Sequence, residues 1–280
     1  MKGRVCVVTG ANSGIGKETA RAIARRGATV VLACRNVEAG NAARDEIAAQ
    51  TGNPDLEVLR LDLASHASVR GFAAEFAAKH LRLHVLVNNA GIYTATHRIT
   101  PDGVESTFAS NHLGHFLLTS LLLDKLKASA PARIVNVASE ASRWGAIHFD
   151  DLNLEKRWSG FQAYNQSKLA NILFTAEVAR RLAGTGVTAN AVHPGGVRTN
   201  WARRGAGAMG VAVRLFSPFM IPAAKGADTV AWLASSPEVD GASGGYYHKR
   251  KRIAPNPVAE DPQVALRLWD VSARLAGIPS

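Results

Sequence analysis

Two polar residues four positions apart could carry acid–base chemistry. Tyr164 and Lys168 lie in residues 161 to 183, an amphipathic stretch whose pattern predicts a helix. Residues four apart share one helical face, so the ammonium would lie beside the phenol and favour the phenolate. A tyrosine activated in this way can exchange a proton at neutral pH. Because such pairs are common by chance, this one has weight only beside other motifs.

A glycine-rich segment near the N-terminus could bind phosphate. Residues 5 to 9 form an apolar, β-rich run, and Gly10, Gly14 and Gly16 follow it before a helical pattern begins. Glycines permit a sharp turn and a close approach to a pyrophosphate, and the helix N-terminus adds free N–H groups. The spacing Gly-x-x-x-Gly-x-Gly differs from the dinucleotide fingerprint Gly-x-Gly-x-x-Gly. An ordinary strand-to-helix turn is the alternative.

The residue after the second predicted strand bears on the choice of cofactor. An acid at this point, about twenty residues beyond the glycines, would hold a ribose 2′-hydroxyl, whereas a basic residue suits a 2′-phosphate. Here Arg35 and Asn36 follow the strand, and Lys17 adds charge beside the turn. The planar guanidinium matches phosphate geometry. The sequence therefore predicts NADP(H) in preference to NAD(H), with a plain surface arginine as the alternative.

Alternating strands and helices must position these residues. Apolar runs predict strands at 4–9, 28–34, 56–61, 83–88, 132–138, 187–193 and 243–247. Amphipathic stretches predict helices at 15–26, 37–50, 66–80, 101–127, 161–183 and 223–235. The pattern predicts an α/β fold: a single doubly wound Rossmann-type domain over residues 1–280, with a parallel seven-stranded sheet and helices on both faces. Ligands lie beyond the carboxyl ends of such strands, where Gly10, Arg35 and Ser139 fall.

Composition excludes some classes of protein and leaves others open. The first strand begins almost at Met1, so we expect no signal peptide and no membrane anchor. Cys6 and Cys34 lie in predicted core strands, which is typical of buried reduced thiols in a cytoplasmic protein, and no Cys/His spacing suits zinc. The net charge of +11 is spread over helix faces except for the cluster at 248–252. Nucleic acid or anionic lipid binding there is the minor alternative.

Taken in order, the motifs resemble those of the classical short-chain dehydrogenase/reductase family over nearly the whole chain. The glycine segment is followed by Asn88-Asn89-Ala90-Gly91, then by Asn111, Ser139 and Tyr164-x-x-x-Lys168. The resemblance implies that Tyr164 donates a proton to a carbonyl oxygen that Ser139 holds. It implies that Lys168 lowers the tyrosine pKa and binds the nicotinamide ribose. Asn111 would kink its helix and hold a water that reaches Lys168.

The same resemblance implies a full set of cofactor contacts. Asp62 would contact the adenine amino group, although it could also cap the helix that starts near Ser65, and Val197 and Thr199 would lie near the carboxamide. His112, His115 and His193 match no catalytic position. The implied cofactor-binding residues are Gly10, Asn12, Ser13, Gly14, Ile15, Gly16, Arg35, Asn36, Asp62, Leu63, Asn88, Ala90, Gly91, Tyr164, Lys168, Pro194, Gly195, Val197 and Thr199.

The C-terminal part resembles the retinol dehydrogenase branch. Ser167 to Asn171, Gly186 to Gly195 and Leu268 to Ser272 carry this likeness, although Ala138 replaces the first serine of the usual pair. Residues 200–222 would form an apolar substrate lid, with an interaction surface or a membrane-touching flap as the alternative, and 248–280 a C-terminal extension. The expected function is reduction of a lipophilic carbonyl or the reverse, with a catalytically silent NADP(H)-binding sensor or scaffold as the alternative. The resemblance also implies a homodimer or homotetramer, paired through the helices bearing Asn111 and Tyr164.

Overall fold

A single twisted sheet forms the centre of the molecule. The computed structural model describes residues 1–197 and 221–279. Its strands are Val5–Thr9 (β1), Thr29–Cys34 (β2), Leu56–Arg60 (β3), Val85–Asn88 (β4), Ala132–Val137 (β5), Val187–Val192 (β6), Tyr246–His248 (β7) and Lys251–Arg252 (β8). They lie in the order β3-β2-β1-β4-β5-β6-β7-β8. The winding reverses between β1 and β4, which opens a crevice at their carboxyl ends.

Helices cover both faces of this sheet. They are Gly14–Ala24 (α1), Val37–Thr51 (α2), His66–Lys79 (α3), Ser106–Phe108 (α4), Gly114–Ala128 (α5), Gly160–Arg181 (α6), Ala223–Ser235 (α7) and Pro262–Ala276 (α8). A π-helical turn, Ala109–Leu113, joins α4 to α5, and a 3-10 turn, Glu140–Trp144, follows β5. The predicted doubly wound α/β architecture is confirmed.

The strand β1 shows why these sequences form a sheet covered on both sides. Val7 faces the apolar layer under α3, α5 and α6, whereas Cys6 and Val8 face the layer under α1, α2 and α7. Alternate side chains of a strand point to opposite faces, so a continuous apolar run fills both layers. Burial raises the pKa of the Cys6 thiol to about 12 and that of Cys34 to about 11. Both cysteines are free, as expected.

The predicted seven-stranded parallel sheet needs one correction. An eighth strand, β8, pairs antiparallel with β7 through Tyr247 and Arg252. The basic cluster at 248–252 is therefore a hairpin, whose turn residues Lys249 and Arg250 have φ of 48° and 59°. Because the cluster is almost entirely basic, it lacks the alternation by which a short edge strand is recognised.

Two helical predictions also need correction. The stretch 101–127 is not one helix: helical structure begins at Ser106, where the Glu105 carboxylate accepts hydrogen bonds from the N–H groups of Thr107 and Phe108. The second correction is α8, to which the sequence pattern assigned no helix. Asp261 caps its start, and Gly277 ends it with φ of 61°.

The C-terminal helix α8 packs across α6 and α5. Trp269 lies against Phe116 and Phe174, with ring centroids 4.9 and 6.0 Å apart, and the Arg181 guanidinium covers its ring at 4.1 Å. As a result, α6 is buried along most of its length. Burial of a large apolar side chain stabilises the fold by about 1.5–3 kcal/mol. Among the described helices, none is long and apolar enough to cross a membrane.

Candidate active site

The glycine turn between β1 and α1 forms a cradle that side chains would fill. Gly10 and Gly14 have φ of 66° and 57°. A Cβ at Gly16 would lie 2.5 Å from both the Gly10 carbonyl oxygen and the Asn89 side-chain nitrogen, so no other residue fits there. Ser13 makes no side-chain capping bond to the first turn of α1. Backbone N–H groups of that turn can therefore face an anion, which fits a dinucleotide phosphate. Asn12 lies in the glycine turn before α1, and Ile15 lies in the first turn of the helix.

Two of the four predicted catalytic residues, Lys168 and Asn111, meet beside Gly91, and Tyr164 lies next to the lysine. Lys168 is buried on α6, with its ammonium nitrogen 5.6 Å from the centre of the Tyr164 ring. A Cβ at Gly91 would lie 3.3 Å from that nitrogen and 3.5 Å from the Asn111 Oδ1 atom. The glycine therefore keeps open the space between lysine and asparagine. Lys168 also donates a 3.0 Å hydrogen bond to the Val137 carbonyl, which ties it to the end of β5.

The side chain of Asn111 holds the segment after β4 in place. It lies on the π-helical turn, where the regular α-helical bonding shifts by one residue. Its Oδ1 accepts from the Ile92 N–H at 2.7 Å, and its Nδ2 donates to the Ile92 carbonyl and the Ser167 hydroxyl, each at 3.0 Å. The predicted kink is therefore a π-turn, and the amide bonds to protein groups on both of its ends.

Burial controls the charge of the proposed proton-handling pair. It raises the pKa of Tyr164 to about 12, while a hydrogen bond with Ser139 acts in the opposite direction. Burial also lowers the pKa of Lys168 to about 8. We expected the Lys168 ammonium to lower the tyrosine pKa, but in this structure desolvation of the phenol is the largest influence and raises it. Tyr164 is therefore a protonated phenol at neutral pH and can act as a proton donor.

Ser139 is placed at the carboxyl end of β5, as predicted. Its hydroxyl accepts a 3.2 Å hydrogen bond from the Ala141 N–H and thereby caps the 3-10 turn that follows. The same hydroxyl bonds to Tyr164 on α6. Strand β5 and helix α6 thus bring a serine and a tyrosine hydroxyl together, where both could contact one carbonyl oxygen.

The residues predicted to contact the adenosine half of the cofactor follow two strands, Arg35 and Asn36 after β2 and Asp62 and Leu63 after β3. Arg35 and Asn36 are exposed after β2, and Asn36 also caps α2 by accepting from the Ala39 N–H. Asp62 accepts from the Ala64 N–H at 3.1 Å, and Ser65, not Asp62, caps α3. Leu63 is buried against Gly114, where a Cβ would lie 2.3 Å from its carbonyl oxygen.

Two side chains that we predicted near the cofactor are used elsewhere. The Asn88 amide donates to Thr119 at 3.0 Å and to Asn136 at 2.8 Å, so it cross-links the interior instead of facing the crevice. Lys17 pairs with Glu46 on α2 at 2.5 Å. Ala90 and Gly91 remain at the crevice edge, where only small groups fit. Since the Asn88 side chain is bonded in the interior, Asn88 could contact the cofactor only through its backbone.

The segment after β6 closes the described part of the site. Gly195 has φ of 92°, and Val197 pairs with Ile221 across the gap in the described chain. Pro194 precedes Gly195. The Nδ1 atom of the neighbouring His193 accepts a 3.2 Å hydrogen bond from the Glu140 N–H, and its ring stacks on His248. We expected His193 only to pack, but it also ties this segment to the turn after Ser139. Thr199 and most of the predicted lid, 200–222, lie outside the described residues.

Three residues near the site had no assigned role in the sequence. Asn89 donates from Nδ2 to the Thr9 carbonyl at 2.8 Å and so holds the glycine turn. The Tyr93 ring lies edge-on to Tyr164, with centroids 6.2 Å apart. His115 bridges Thr9 and the backbone of Asn111. The Asn-Asn repeat is the only sequence signal for Asn89. The contacts of Tyr93 with Tyr164 and of His115 with Thr9 join residues that are distant in the chain.

The fold and the site define a class of protein: a Rossmann-type oxidoreductase with a crevice for a nicotinamide dinucleotide. The model of the short chain dehydrogenase family matches residues 4–206. Human retinol dehydrogenase 12 is 50% identical over 278 residues, which cover 99% of this chain and 88% of that protein. The chain belongs to the short-chain dehydrogenase family, in its retinol dehydrogenase-like branch. It is an NAD(P)-dependent oxidoreductase acting on CH–OH or C=O groups.

Two solved structures support this assignment. An uncharacterized protein from Mycobacterium Paratuberculosis superposes with a TM-score of 0.80 at 38% identity, covering 99% of this chain and 94% of that one. A Beutenbergia cavernae protein, named as an NAD(P)-dependent gluconate 5-dehydrogenase and solved with NADP bound at low occupancy, has a TM-score of 0.69 at 29% identity. That match covers 88% of this chain and 94% of the other.

Proposed function

We propose that this chain is an NADPH-dependent oxidoreductase that reduces the carbonyl of a lipophilic aldehyde or ketone, or oxidises the corresponding alcohol. The observation that carries this proposal is the convergence of Tyr164, Ser139 and Lys168 at the edge of the sheet that also holds the glycine cradle. Asn111 closes the same space from the π-turn.

Each of these residues has a role that follows from its placement. When bound, the nicotinamide supplies or accepts the hydride. Tyr164 donates its proton to the carbonyl oxygen during reduction and takes it back during alcohol oxidation. Ser139 donates a hydrogen bond to that oxygen and stabilises its developing negative charge. Lys168 binds the ribose hydroxyls and places a positive charge near the phenol, and Asn111 keeps a path for proton resupply beside Gly91.

The preference for NADPH rests on Arg35. Its exposed guanidinium follows β2 at the crevice edge, where a basic group suits a ribose 2′-phosphate. Lys17 is paired with Glu46, so Arg35 is the basic residue to which we assign the 2′-phosphate. The Beutenbergia cavernae structure, which holds NADP at low occupancy, is compatible with the same choice.

A lipophilic substrate is supported by two exposed aromatic side chains that lie close in sequence to Ser139 and Tyr164. Trp144, five residues after Ser139, is 66% exposed, and Phe161, one turn before Tyr164, is 47% exposed. Large aromatic side chains exposed in this way can contact an apolar ligand. The name of the human relative, a retinol dehydrogenase, points to the same class of substrate.

The proposal is tested by measuring NADPH and NADH consumption side by side against lipophilic aldehydes and ketones, including retinal. We expect turnover with NADPH to exceed that with NADH, and long-chain or cyclic substrates to exceed short polar ones. Tight NADPH binding without turnover on any substrate would contradict the enzymatic function and favour the NADP(H)-binding sensor.

A further inference from the structure

His115 lies where three parts of the site meet, although its sequence position matches no catalytic residue. It is buried on the first turn of α5, with 2% of its surface exposed. Its Nε2 atom is 2.9 Å from the Thr9 hydroxyl, and its Nδ1 atom is 3.1 Å from the Asn111 carbonyl oxygen. Thr9 directly precedes the glycine turn. The imidazole therefore spans the distance between the cofactor cradle and the π-turn.

The Thr9 hydroxyl has a full set of partners in this arrangement. It accepts hydrogen bonds from the N–H groups of Asn89 and Ala90, both at 2.9 Å. A hydroxyl oxygen has two lone pairs and one proton to donate. Both lone pairs are thus used by the segment after β4. The hydroxyl proton is left for His115 at 2.9 Å or for the more distant Val87 carbonyl at 3.4 Å.

These contacts allow only one form of the imidazole. The Asn111 carbonyl can only accept, so Nδ1 must carry a hydrogen. A hydrogen on Nε2 as well would require the Thr9 oxygen to accept three bonds, which exceeds its capacity. His115 must therefore be neutral, with Nε2 accepting from Thr9. Burial is consistent with this, since it lowers the pKa of His115 to about 4.

We propose that His115 is a positioning residue that holds the cofactor cradle and the Asn111 turn in register, through a neutral imidazole protonated on Nδ1. One ring fixes Thr9, Thr9 fixes the N–H groups of Asn89 and Ala90, and the same ring fixes the carbonyl of Asn111. The proposal rests on the proposed function only in taking the crevice beside Ala90 and Gly91 as the cofactor site.

The loss of this ring should weaken cofactor binding before it weakens the fold. His115→Leu keeps the volume but leaves the Thr9 proton and the Asn111 carbonyl without their partner. We expect the affinity for NADPH to fall about 10- to 100-fold and kcat to fall with it. His115→Gln offers one acceptor and one donor, so it should recover a substantial part of both losses.

His112→Leu is the matched control. His112 is equally buried, three residues earlier, but its Nε2 contacts Ser272 on α8 and its ring packs on Phe108. This variant should lower the melting temperature to a similar degree and leave NADPH affinity within about twofold of wild type. Equal loss of affinity in the two leucine variants, or none in His115→Leu, would overturn the proposal.

The tautomer gives a test that needs no variant. Nitrogen NMR of the wild-type histidines near neutral pH should show His115 protonated on Nδ1 and bare on Nε2. Protonation of Nε2 would overturn the proposal, even if every variant failed to fold. Failure of the wild-type chain to bind NADPH is a separate outcome, since it would contradict the proposed function and leave the tautomer to be judged by NMR.

Discussion

At the level of single side chains, burial sets the charges of the two groups that would handle the proton. The pKa of Tyr164 is raised to about 12, and that of Lys168 is lowered to about 8. The phenol is therefore ready to donate at neutral pH. The lysine is charged at neutral pH but close to losing its proton. This makes Lys168 the residue whose titration should be visible in the reaction.

Reduction should therefore slow as the pH rises through about 8. Below this pKa Lys168 carries its charge, and above it the charge is lost, since burial has lowered the pKa from 10.5. Lys168→Arg, with a guanidinium that stays protonated, should remove the fall. The measurement is kcat/KM for reduction between about pH 6 and pH 10, with NADPH binding followed in parallel. An unchanged fall in Lys168→Arg would show that another group causes it.

Cofactor choice should depend on Arg35. Replacing it by Asp removes the phosphate partner and offers an acceptor for a ribose 2′-hydroxyl. The ratio of kcat/KM for NADPH to that for NADH should fall by about 100-fold, or roughly 3 kcal/mol.

Arg25→Asp is the control for this change, because it alters the charge equally at the far end of α1. It should leave the ratio within about twofold of wild type. A ratio unaffected by Arg35→Asp would mean that Arg35 is only a surface arginine.

At the level of elements, the helix α8 was missed in the sequence, and we expect the packing of α8 to contribute strongly to the stability of the fold. Trp269→Ala would remove a ring packed between Phe116, Phe174 and Arg181. We expect the free energy of unfolding to fall by about 3–5 kcal/mol, measured in urea, because the cavity cannot close against rigid helices. Arg267→Ala, on the exposed face of α8, should cost less than about 1 kcal/mol. Similar costs for the two variants would contradict this packing.

The central strands β1, β2 and β4 were predictable because they are apolar runs, rich in valine, that are buried along almost their whole length. The run 28–34 corresponds to Thr29–Cys34, within one residue. The π-turn at Asn111 was not predictable as such, because it differs from an α-helix only in the register of its hydrogen bonds. The β8 hairpin was missed because its basic residues show no alternation. The helix α8 was missed although its buried positions, such as Ala265, Leu268 and Trp269, recur three and four residues apart, so the signal was present in the sequence.

The candidate site was predictable in its residues but not in its hydrogen bonds. The order of motifs placed Ser139, Tyr164 and Lys168 at one edge of the sheet, and the structure brings them together. The partners of Asn88 and Lys17 lie 31 and 29 residues away along the chain, so their capture by Thr119 and Glu46 was not visible. The same distance effect hid His115, which lies 106 residues from Thr9.

At the scale of the whole molecule, α8 affects how copies of the chain could associate. The expected dimer or tetramer, paired through the helices bearing Asn111 and Tyr164, stays a prediction. In this structure α8 already covers much of α6, and Leu268 and Trp269 are buried against it. Pairing through the covered part of α6 would require α8 to move away.

The stability of the molecule should fall in mild acid. Burial lowers the histidine pKa from 6.5 to about 3 at His112, about 4 at His115 and about 4 at His193. A lowered folded-state pKa means that stability is complete above pH 6.5 and is lost as the pH falls towards 4, because the unfolded chain binds the protons first. At about pH 4, each fully buried histidine ring should have lowered the free energy of unfolding by roughly 3 kcal/mol.

Urea unfolding at several pH values checks this expectation. The free energy of unfolding should begin to fall below about pH 6.5, whereas the paired carboxylates Glu57 and Glu177, whose pKa values are lowered, act only below their ordinary value of 4.5. In His112→Leu the free energy of unfolding should fall less steeply between about pH 6.5 and pH 4.5 than in wild type, whatever the stability of the variant at neutral pH. A flat profile down to about pH 4.5 would contradict the buried neutral histidines.

The most direct test of the proposed chemistry is NADPH-dependent reduction of retinal by wild type and Tyr164→Phe. The phenylalanine keeps the ring but has no proton to donate, so kcat should fall by at least about 1,000-fold while NADPH affinity stays within about threefold. Tyr247→Phe makes the same chemical change on the opposite face of the sheet and should retain wild-type turnover. Near-normal turnover by Tyr164→Phe would contradict the assignment of Tyr164 as the proton donor.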